Sequence, residues 1–436
     1  MDPTAALREL YRLADETRPP APALYLRGKR SVVEDVVQEV LLDPDMRTKH
    51  LLYGATGSGK SSQLRDIAAE LMRHDVTVVD VDFDRSGISV AGISAFDLAY
   101  VIGVKSLVHV ARAQAEPLFA ELASAYAEGD DADADALGQL DEALPGIAGF
   151  GDAVLAVAKE AGMALLPGVA VVSTVKGAMH LFKLRTKRAG VVAETSPRGR
   201  RVQTALEAIF AAVRAARGGR PIAVLLDGLE KVNGGAGRWM RETFEYTRLL
   251  TDSSVTIIAA TPSCPFSETN SALAAGWSPQ VVYGFAPEDL NTLREAMARR
   301  VRAAGLDLDA SGFGSTCERL ALDSGGHPRH AMLMLRSTVM NVMKSGRDHV
   351  VATDVDGAVQ KLREQLAMGL IEPHYVALRK VARTHRLPED DVAASLFGDG
   401  RILVHPPTAG GPHQFHVHPL LQPWIAAAED VRTDDR

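Results

Sequence analysis

The chain contains little cysteine, few aromatic residues and no strong excess of either charge. Only two of its 436 residues are cysteine, Cys264 and Cys317, and 5% are aromatic. Two cysteines cannot form a disulfide framework, and such sparse use is typical of a reducing compartment. The formal net charge of −7 provides no general attraction to nucleic acid or to an anionic membrane. With 46% hydrophobic and 24% charged residues, we expect a cytoplasmic protein of about two to four globular domains.

Long hydrophobic runs are also missing. The N-terminal stretch MDPTAALREL contains acids and no apolar core, which is not the pattern of a secretory signal. The uncharged stretch Ala161–Val175 contains Pro167 and is shorter than the roughly 20 residues that a membrane-spanning helix needs. It follows an acidic run, Glu128–Asp135, and precedes a basic cluster, Lys183–Arg188. We interpret residues 145–190 as an apolar helical hairpin that lies in the core, or that contacts a membrane or a partner.

A glycine-rich motif follows the first strand candidate. Residues 54–61 read GATGSGKS and match G-x-x-x-x-G-K-[ST] in full, between the apolar run His50–Tyr53 and the amphipathic segment Ser62–Arg73. Glycines let successive backbone N–H groups curl around a phosphate, and the following helix adds the positive end of its dipole. The motif therefore predicts binding of a nucleoside triphosphate, with Lys60 on the β- and γ-phosphates and Ser61 on Mg²⁺. The predicted phosphate-binding residues are Gly54, Ala55, Thr56, Gly57, Ser58, Gly59, Lys60, Ser61 and Ser62.

Two acids close a second apolar strand candidate. Asp227 directly follows the run Pro221–Leu226, and Glu230 comes three residues later. A carboxylate at the end of such a strand organises Mg²⁺ in P-loop enzymes, so we assign that role to Asp227. We expect Glu230 to orient or deprotonate the attacking water. The alternative for either acid is a cap on the next helix.

The order of strand and helix candidates predicts an α/β fold. The strand candidates are His50–Tyr53, Val76–Asp82, Ile222–Leu226, Val255–Ala260 and Val281–Tyr283. Most of them alternate with helices, which favours a parallel sheet. We divide the chain into an N-terminal helical segment, 1–48; a P-loop core, 49–285, with a large insertion at 95–200; a helical lid, 286–365; and a winged-helix domain, 366–436.

This succession resembles AAA+ and STAND-type P-loop ATPases, in particular the branch that includes archaeal origin-recognition and NACHT-like ATPases. The resemblance covers residues 45–95 and 200–430. It implies a γ-phosphate sensor at Thr261 and a contact from the lid to the nucleotide through Arg329 or His327. It also implies a winged helix made of the last helices and a hairpin, Ile402–His405 with Gln414–His418.

The sequence departs from the ring-forming members of that group. They place an arginine finger near the end of the sheet, but Thr261–Gln280 contains no arginine. Arg241 and Arg248 are candidates to replace the arginine finger. The simpler interpretation is that both lie on the solvent-exposed face of a helix. The helix in the position of a recognition helix starts with acids, Pro388–Asp391. These acids would repel phosphates, so a domain that packs against the lid is favoured and a domain that binds DNA is less favoured.

We therefore predict an ATPase that binds ATP and Mg²⁺, hydrolyses slowly and acts as a nucleotide-controlled switch for assembly or signalling, for example in bacterial defence. The expected partner is another protein or a second copy of this chain. One alternative is a DNA-binding ATPase of the initiator or transposition-loader type. The other is a membrane-associated P-loop ATPase that acts through residues 145–190.

Overall fold

The computed structural model describes residues 3–15, 21–28, 31–43, 45–83, 95–127, 197–229, 249–261, 276–388, 390–406 and 413–425. The chain packs as two compact units. We call Met1–Val32, Tyr53–Gln63 and Val281–Arg436 the P-loop unit, and Val33–Leu52 and Leu64–Gln280 the sheet unit. Glu230, Arg241, Arg248 and the predicted hairpin with its basic cluster lie outside the described residues.

A five-stranded sheet forms the centre of the sheet unit. Its strands are β1 (Lys49–Tyr53), β2 (Thr77–Asp82), β3 (Ile222–Asp227), β4 (Thr256–Thr261) and β5 (Ser278–Val281). Their order is β2-β3-β4-β1-β5, and β3 runs parallel to both β2 and β4. Almost every residue of β3 and β4 is buried, as expected of parallel strands that are covered on both faces. The predicted parallel α/β core is confirmed.

The fifth strand begins earlier than the apolar pattern predicts. We expect Val281–Tyr283, whereas β5 is Ser278–Val281 and contains Pro279. Proline cannot donate to a ladder, but β5 lies at the edge of the sheet, where proline is tolerated. The Val282 N–H still donates to the Tyr53 carbonyl at 2.8 Å, so hydrogen bonding continues just beyond the assigned strand.

Helices of the sheet unit cover the sheet. They are α2 (Val33–Leu42), α4 (Ala95–Ser106), α5 (Arg112–Ala127) and α6 (Pro197–Ala216), and α3 (Lys60–Arg73) starts in the glycine-rich loop. The helices α4, α5 and α6 pack on one another, and their apolar residues join those of β2, β3 and β4 in a single core. None of the helices in the described ranges is both long and apolar enough to cross a membrane.

The P-loop unit is mainly helical. It contains α1 (Pro3–Leu13), α7 (Leu290–Ala303), α8 (Phe313–Asp323), α9 (Pro328–Lys344), α10 (Ala352–Ala367), α11 (Glu372–Thr384) and α12 (Asp391–Gly398). An antiparallel hairpin follows, formed by β6 (Ile402–His405) and β7 (Gln414–Val417). Two helices and a hairpin are the elements predicted for the winged helix. One hydrophobic core runs from Leu10 through Met334 to Phe397, so α1 and the hairpin belong to the same packed body. The domain boundaries given above stay predictions.

Candidate nucleotide-binding site

The glycine-rich loop connects β1 to α3 and curls tightly. Gly57 and Gly59 have φ of 89° and 106°, in the region that side chains other than glycine rarely adopt. The Lys60 ammonium is buried and donates to the carbonyl oxygens of Gly54 and Ala55, at 2.7 Å and 3.0 Å. The N-terminus of α3 begins at this lysine. The loop therefore combines a fixed cation with a helix N-terminus, the two features that bind phosphate.

Arg329 lies against this loop. It occupies the first turn of α9, directly after Pro328. A Cβ added to Gly57 would come within 2.4 Å of the Arg329 Cβ and 2.6 Å of its Cδ, so the arginine stem covers Gly57 closely. Arg329 is half-buried, and its side chain makes no hydrogen bond or ion pair with any residue in the described ranges. The predicted lid arginine thus contacts the loop, and no described carboxylate forms an ion pair with its guanidinium.

His327 caps the same helix. Its Nδ1 accepts the His330 backbone N–H at 3.3 Å. The ring is buried, and its Nε2 has no hydrogen-bond partner among the described residues. Burial lowers the pKa of His327 well below its usual value; the neighbouring His330 and His418, and then Arg329 and Lys60, lower this pKa further. His327 is therefore neutral and offers a buried polar nitrogen beside the two cations.

A small cleft, with room for about one water molecule, adjoins the loop. Ala55, Ser58 and His327 line it together with residues of β6, including His405. Three buried polar atoms at this cleft, Ser58 Oγ, His327 Nε2 and His405 Nε2, lack hydrogen-bond partners among the described residues. Such orphaned atoms are costly unless something binds them, so the cleft favours a water-sized polar group next to the loop.

The C-terminal part of the P-loop unit also contacts the loop directly. The Thr56 N–H donates to the carbonyl of Gly398, the last residue of α12, at 2.8 Å. Neither Gly398 nor His405 is predicted from the sequence as a site residue. The pattern around them is that of an ordinary helix end and strand, and no local signal marks them.

The predicted acid and sensor end neighbouring strands of the sheet unit. Asp227 is the last residue of β3, and its Oδ1 accepts the Gly228 N–H at 2.9 Å. Thr261 is the buried last residue of β4, which pairs with β3 in parallel. Asp82 ends β2 and lies opposite Asp227 in the register. Sequence reasoning missed Asp82, although its strand candidate also ends in an acid. The roles of Asp227, Thr261 and Glu230, and the Mg²⁺ contact of Ser61, stay predictions.

The strand–loop–helix element, with its buried lysine and parallel sheet, defines a P-loop NTPase. Residues 30–263, more than half of the chain, match the model of the KAP family P-loop domain. The chain belongs to the KAP family of P-loop NTPases. The predicted P-loop NTPase class is thereby confirmed. No curated protein matches the chain.

Several solved structures are similar to this chain at low identity. The Aeropyrum pernix ORC2 protein in its ADP form is 12% identical with a TM-score of 0.44, covering 97% of this chain and 98% of that one. The A. pernix ORC1 protein in complex with DNA is 14% identical with a TM-score of 0.36, covering 96% and 98%. Drosophila ORC bound to DNA is 10% identical with a TM-score of 0.38, covering 95% and 89%. These belong to the origin-recognition group named above, and similarity at this level carries no argument about function.

Proposed function

We propose that this KAP-family protein is an ATP-dependent switch. It binds ATP with Mg²⁺ at residues 54–62, hydrolyses it slowly, and uses the nucleotide state to control assembly with a protein partner or a second copy. The observation that carries the proposal is the contact of Arg329 with Gly57 beside Lys60. The lid arginine lies on the loop and has no carboxylate partner in the described ranges. Its positive charge would therefore attract a phosphate bound at the loop directly.

Each residue of the site has a role in this proposal. Lys60 and Arg329 neutralise phosphate oxygens, and His327 Nε2 supplies a hydrogen bond to one of them. Mg²⁺, held by Ser61 and Asp227, would supply charge neutralisation between phosphates. Glu230 orients the attacking water, and Thr261 contacts the γ-phosphate.

The lack of an arginine finger in the expected stretch supports slow turnover. A guanidinium offered by a neighbouring subunit accelerates phosphoryl transfer by about three to five powers of ten. The stretch where such a residue is expected, Thr261–Gln280, contains none. A protein that hydrolyses its nucleotide slowly is better suited to timing assembly or signalling, such as a defence response, than to acting as a motor.

The DNA-loader alternative has less support. The acid at the start of α12 has a local role, because Asp390 caps the helix by accepting the Ala393 N–H at 2.7 Å. One member of the basic segment before it, Arg379, is buried and paired with Glu372 at 2.7 Å. Both features use charge for folding and leave less of it for phosphate contacts with a duplex.

The decisive experiment compares ATP binding in three proteins. Titration calorimetry with Mg-ATP should give micromolar-range binding to the wild type, at about 1 to 100 μM, and at least about tenfold weaker binding to Lys60→Ala. The matched control is Lys361→Ala, on the exposed face of α10. Wild-type affinity in a folded Lys60→Ala protein would remove the site assignment.

Assembly is then followed by light scattering with ADP, a non-hydrolysable ATP analogue, or duplex DNA. Larger assemblies with the ATP analogue alone support the switch. Duplex binding that weakens steeply with salt supports the loader instead.

A further inference from the structure

Three buried histidines meet inside the P-loop unit. His327 and His330 come from the start of α9, and His418 directly follows β7. The His327 and His330 rings stack with centroids 3.9 Å apart, and the His330 and His418 rings meet edge-on at 5.0 Å. His330 Nδ1 and His418 Nε2 are 3.1 Å apart. We call these three residues the histidine cluster.

The hydrogen bonds of the cluster fix the neutral tautomers. His327 Nδ1 accepts the His330 N–H at 3.3 Å, and His418 Nδ1 accepts the Leu420 N–H at 3.2 Å. A nitrogen that accepts carries no proton, so both rings hold their proton on Nε2. His418 Nε2–H then donates to His330 Nδ1. A second proton on His327 or His418 would have to enter at Nδ1, and it would break the backbone bond there.

The same tautomers argue against a metal site. A metal-bound imidazole normally donates its second N–H to an acceptor, whereas Nδ1 of His327 and of His418 accepts. Within the described ranges no group of histidine, cysteine and acid side chains is arranged to hold a metal ion.

The charges that face the cluster are positive. His327 is surrounded by His330, His418, Arg329 and Lys60, and His330 also faces Arg329. His330 also lowers the pKa of His418, whereas a hydrogen bond to the backbone of Ser324 raises it. Burial is the main cause of a pKa of about 3 for His330 and of pKa values well below normal for the other two.

Two acids of the P-loop unit have other partners. Asp399 and Arg401 flank Gly400 and pair with each other at 3.6 Å. Glu288 acts on His405 of β6. No described carboxylate is among the groups that act most strongly on the pKa values of the three rings, so a proton added there meets mainly positive charge.

The cluster sits where the C-terminal segment meets the lid and the loop. A Cβ on Gly400 would come within 3.1 Å of His330 Cε1 and 3.2 Å of His327 Nε2, so the turn between α12 and β6 rests on both rings. Two residues earlier, the Gly398 carbonyl holds the Thr56 N–H. A change that pushes this turn away from the histidines would therefore also pull on the glycine-rich loop.

We propose that the histidine cluster is a pH-sensitive switch: as pH falls below about 6, protons bind the rings that opening exposes, and this favours separation of the segment from α12 to β7 from the start of α9. The direction follows from linkage. Rings that are neutral when buried and basic when exposed favour the open form as pH falls below their ordinary pKa. Each histidine that is released raises the opening equilibrium by up to about tenfold per pH unit. Opening also breaks the hydrogen bond from the Thr56 N–H to the Gly398 carbonyl, so a fall in pH would alter the glycine-rich loop as well.

The test uses a variant that cannot titrate but keeps the capping bonds. Asparagine is a good acceptor at a helix N-cap, so His327→Asn and His418→Asn preserve the bonds to His330 and Leu420, and His330→Gln completes the triple variant. Hydrogen exchange is measured without nucleotide at pH 7.5 and 5.5, corrected for the intrinsic pH dependence of exchange. We expect amides of β6 and β7 to lose at least about tenfold more protection in the wild type than in the triple variant.

Two controls make the result specific. His349→Gln removes an exposed histidine that pairs with Asp348 and should behave as wild type. Amides of β3 and β4, in the sheet unit, should respond to pH alike in all proteins. An equal loss of β6 and β7 protection in wild type and triple variant overturns the proposal. If the triple variant does not fold, His418→Asn alone must lower the pH response of β6 and β7, and an unchanged response overturns the proposal as well.

Discussion

The side chain of Arg329 covers Gly57 so closely that a single methyl group at position 57 would overlap the arginine Cβ, at 2.4 Å. Gly57 belongs to the phosphate-binding loop, and Arg329 belongs to the first turn of α9. The two residues lie far apart in the sequence, and their contact brings lid and loop together within one packed unit.

This contact makes Gly57→Ala a sharp test of the site. The alanine must adopt a positive φ, which costs about 1–2 kcal/mol, and it must displace Arg329. We expect ATP affinity to fall by at least about tenfold, as measured by calorimetry. The matched control is Gly346→Ala: φ there is 68°, but a Cβ meets nothing within 4 Å. Equal ATP affinities in Gly57→Ala and Gly346→Ala would show that the contact between Arg329 and Gly57 does not contribute to nucleotide binding.

Arg329→Ala tests the coupling between nucleotide and lid. Only contacts that differ between states shift a conformational equilibrium, so the variant should lose the difference between ADP and ATP more than it loses affinity. Hydrogen exchange across residues 287–345 is the measurement. Arg319→Ala on α8, whose side chain pairs with exposed Asp356 at 2.7 Å, serves as control. A nucleotide response that stays unchanged in Arg329→Ala counts against the coupling.

Hydrolysis should separate the two acids. Glu230→Gln is expected to keep ATP affinity and to lower turnover by about 100-fold, because a positioned base contributes this much or more. Asp227→Asn should instead weaken the Mg²⁺ dependence of binding. Asp252→Asn, an exposed acid of the same unit, controls for the change of net charge. Wild-type turnover in Glu230→Gln would place the base at another residue.

Acid should weaken the sheet unit through His50. This ring is fully buried in β1, and although Glu39 Oε2 lies 3.5 Å from its Nδ1, burial followed by Lys49 lowers its pKa to about 4. The folded form excludes the proton, so its stability is complete above pH 6.5 and declines as pH falls toward 4. The loss is on the order of 3 kcal/mol. Urea unfolding of the wild type and of His50→Leu at pH 7 and pH 5 should show a smaller pH effect in the variant; equal effects would refute this.

The parts of the fold that were predictable are local in the sequence. β1, the loop and α3 are contiguous, and an apolar run that ends in a glycine-rich turn has few other structures available. β3 and β4 read as strands because they are buried on both faces and are almost purely apolar. The edge strand β5 is less apolar, so the apolar pattern predicts its start at Val281 instead of Ser278.

The contacts that give the site its character are not local. The sequence predicts Arg329 as a lid residue, but nothing in its neighbourhood specifies that its stem lies on Gly57. The histidine cluster joins α9 to a residue beyond β7, and the Gly398 carbonyl meets Thr56 from a different element. Such contacts arise from tertiary packing and leave no periodic signal in the chain.

The N-terminal helix gives a last prediction, because a buried arginine attaches it to the lid. Arg300 of α7 donates to the carbonyls of Leu13 and Leu24, each at 3.1 Å, and burial lowers its pKa to about 10. Arg300→Ala would leave these carbonyls without their donor, so we expect a loss of about 3 kcal/mol in unfolding free energy. Arg302→Ala, two residues further along α7 and exposed in a pair with Glu295, should cost less than about 1 kcal/mol. Urea unfolding measures both, and a cost for Arg300→Ala no larger than that for Arg302→Ala would show that α1 is held by apolar contacts alone.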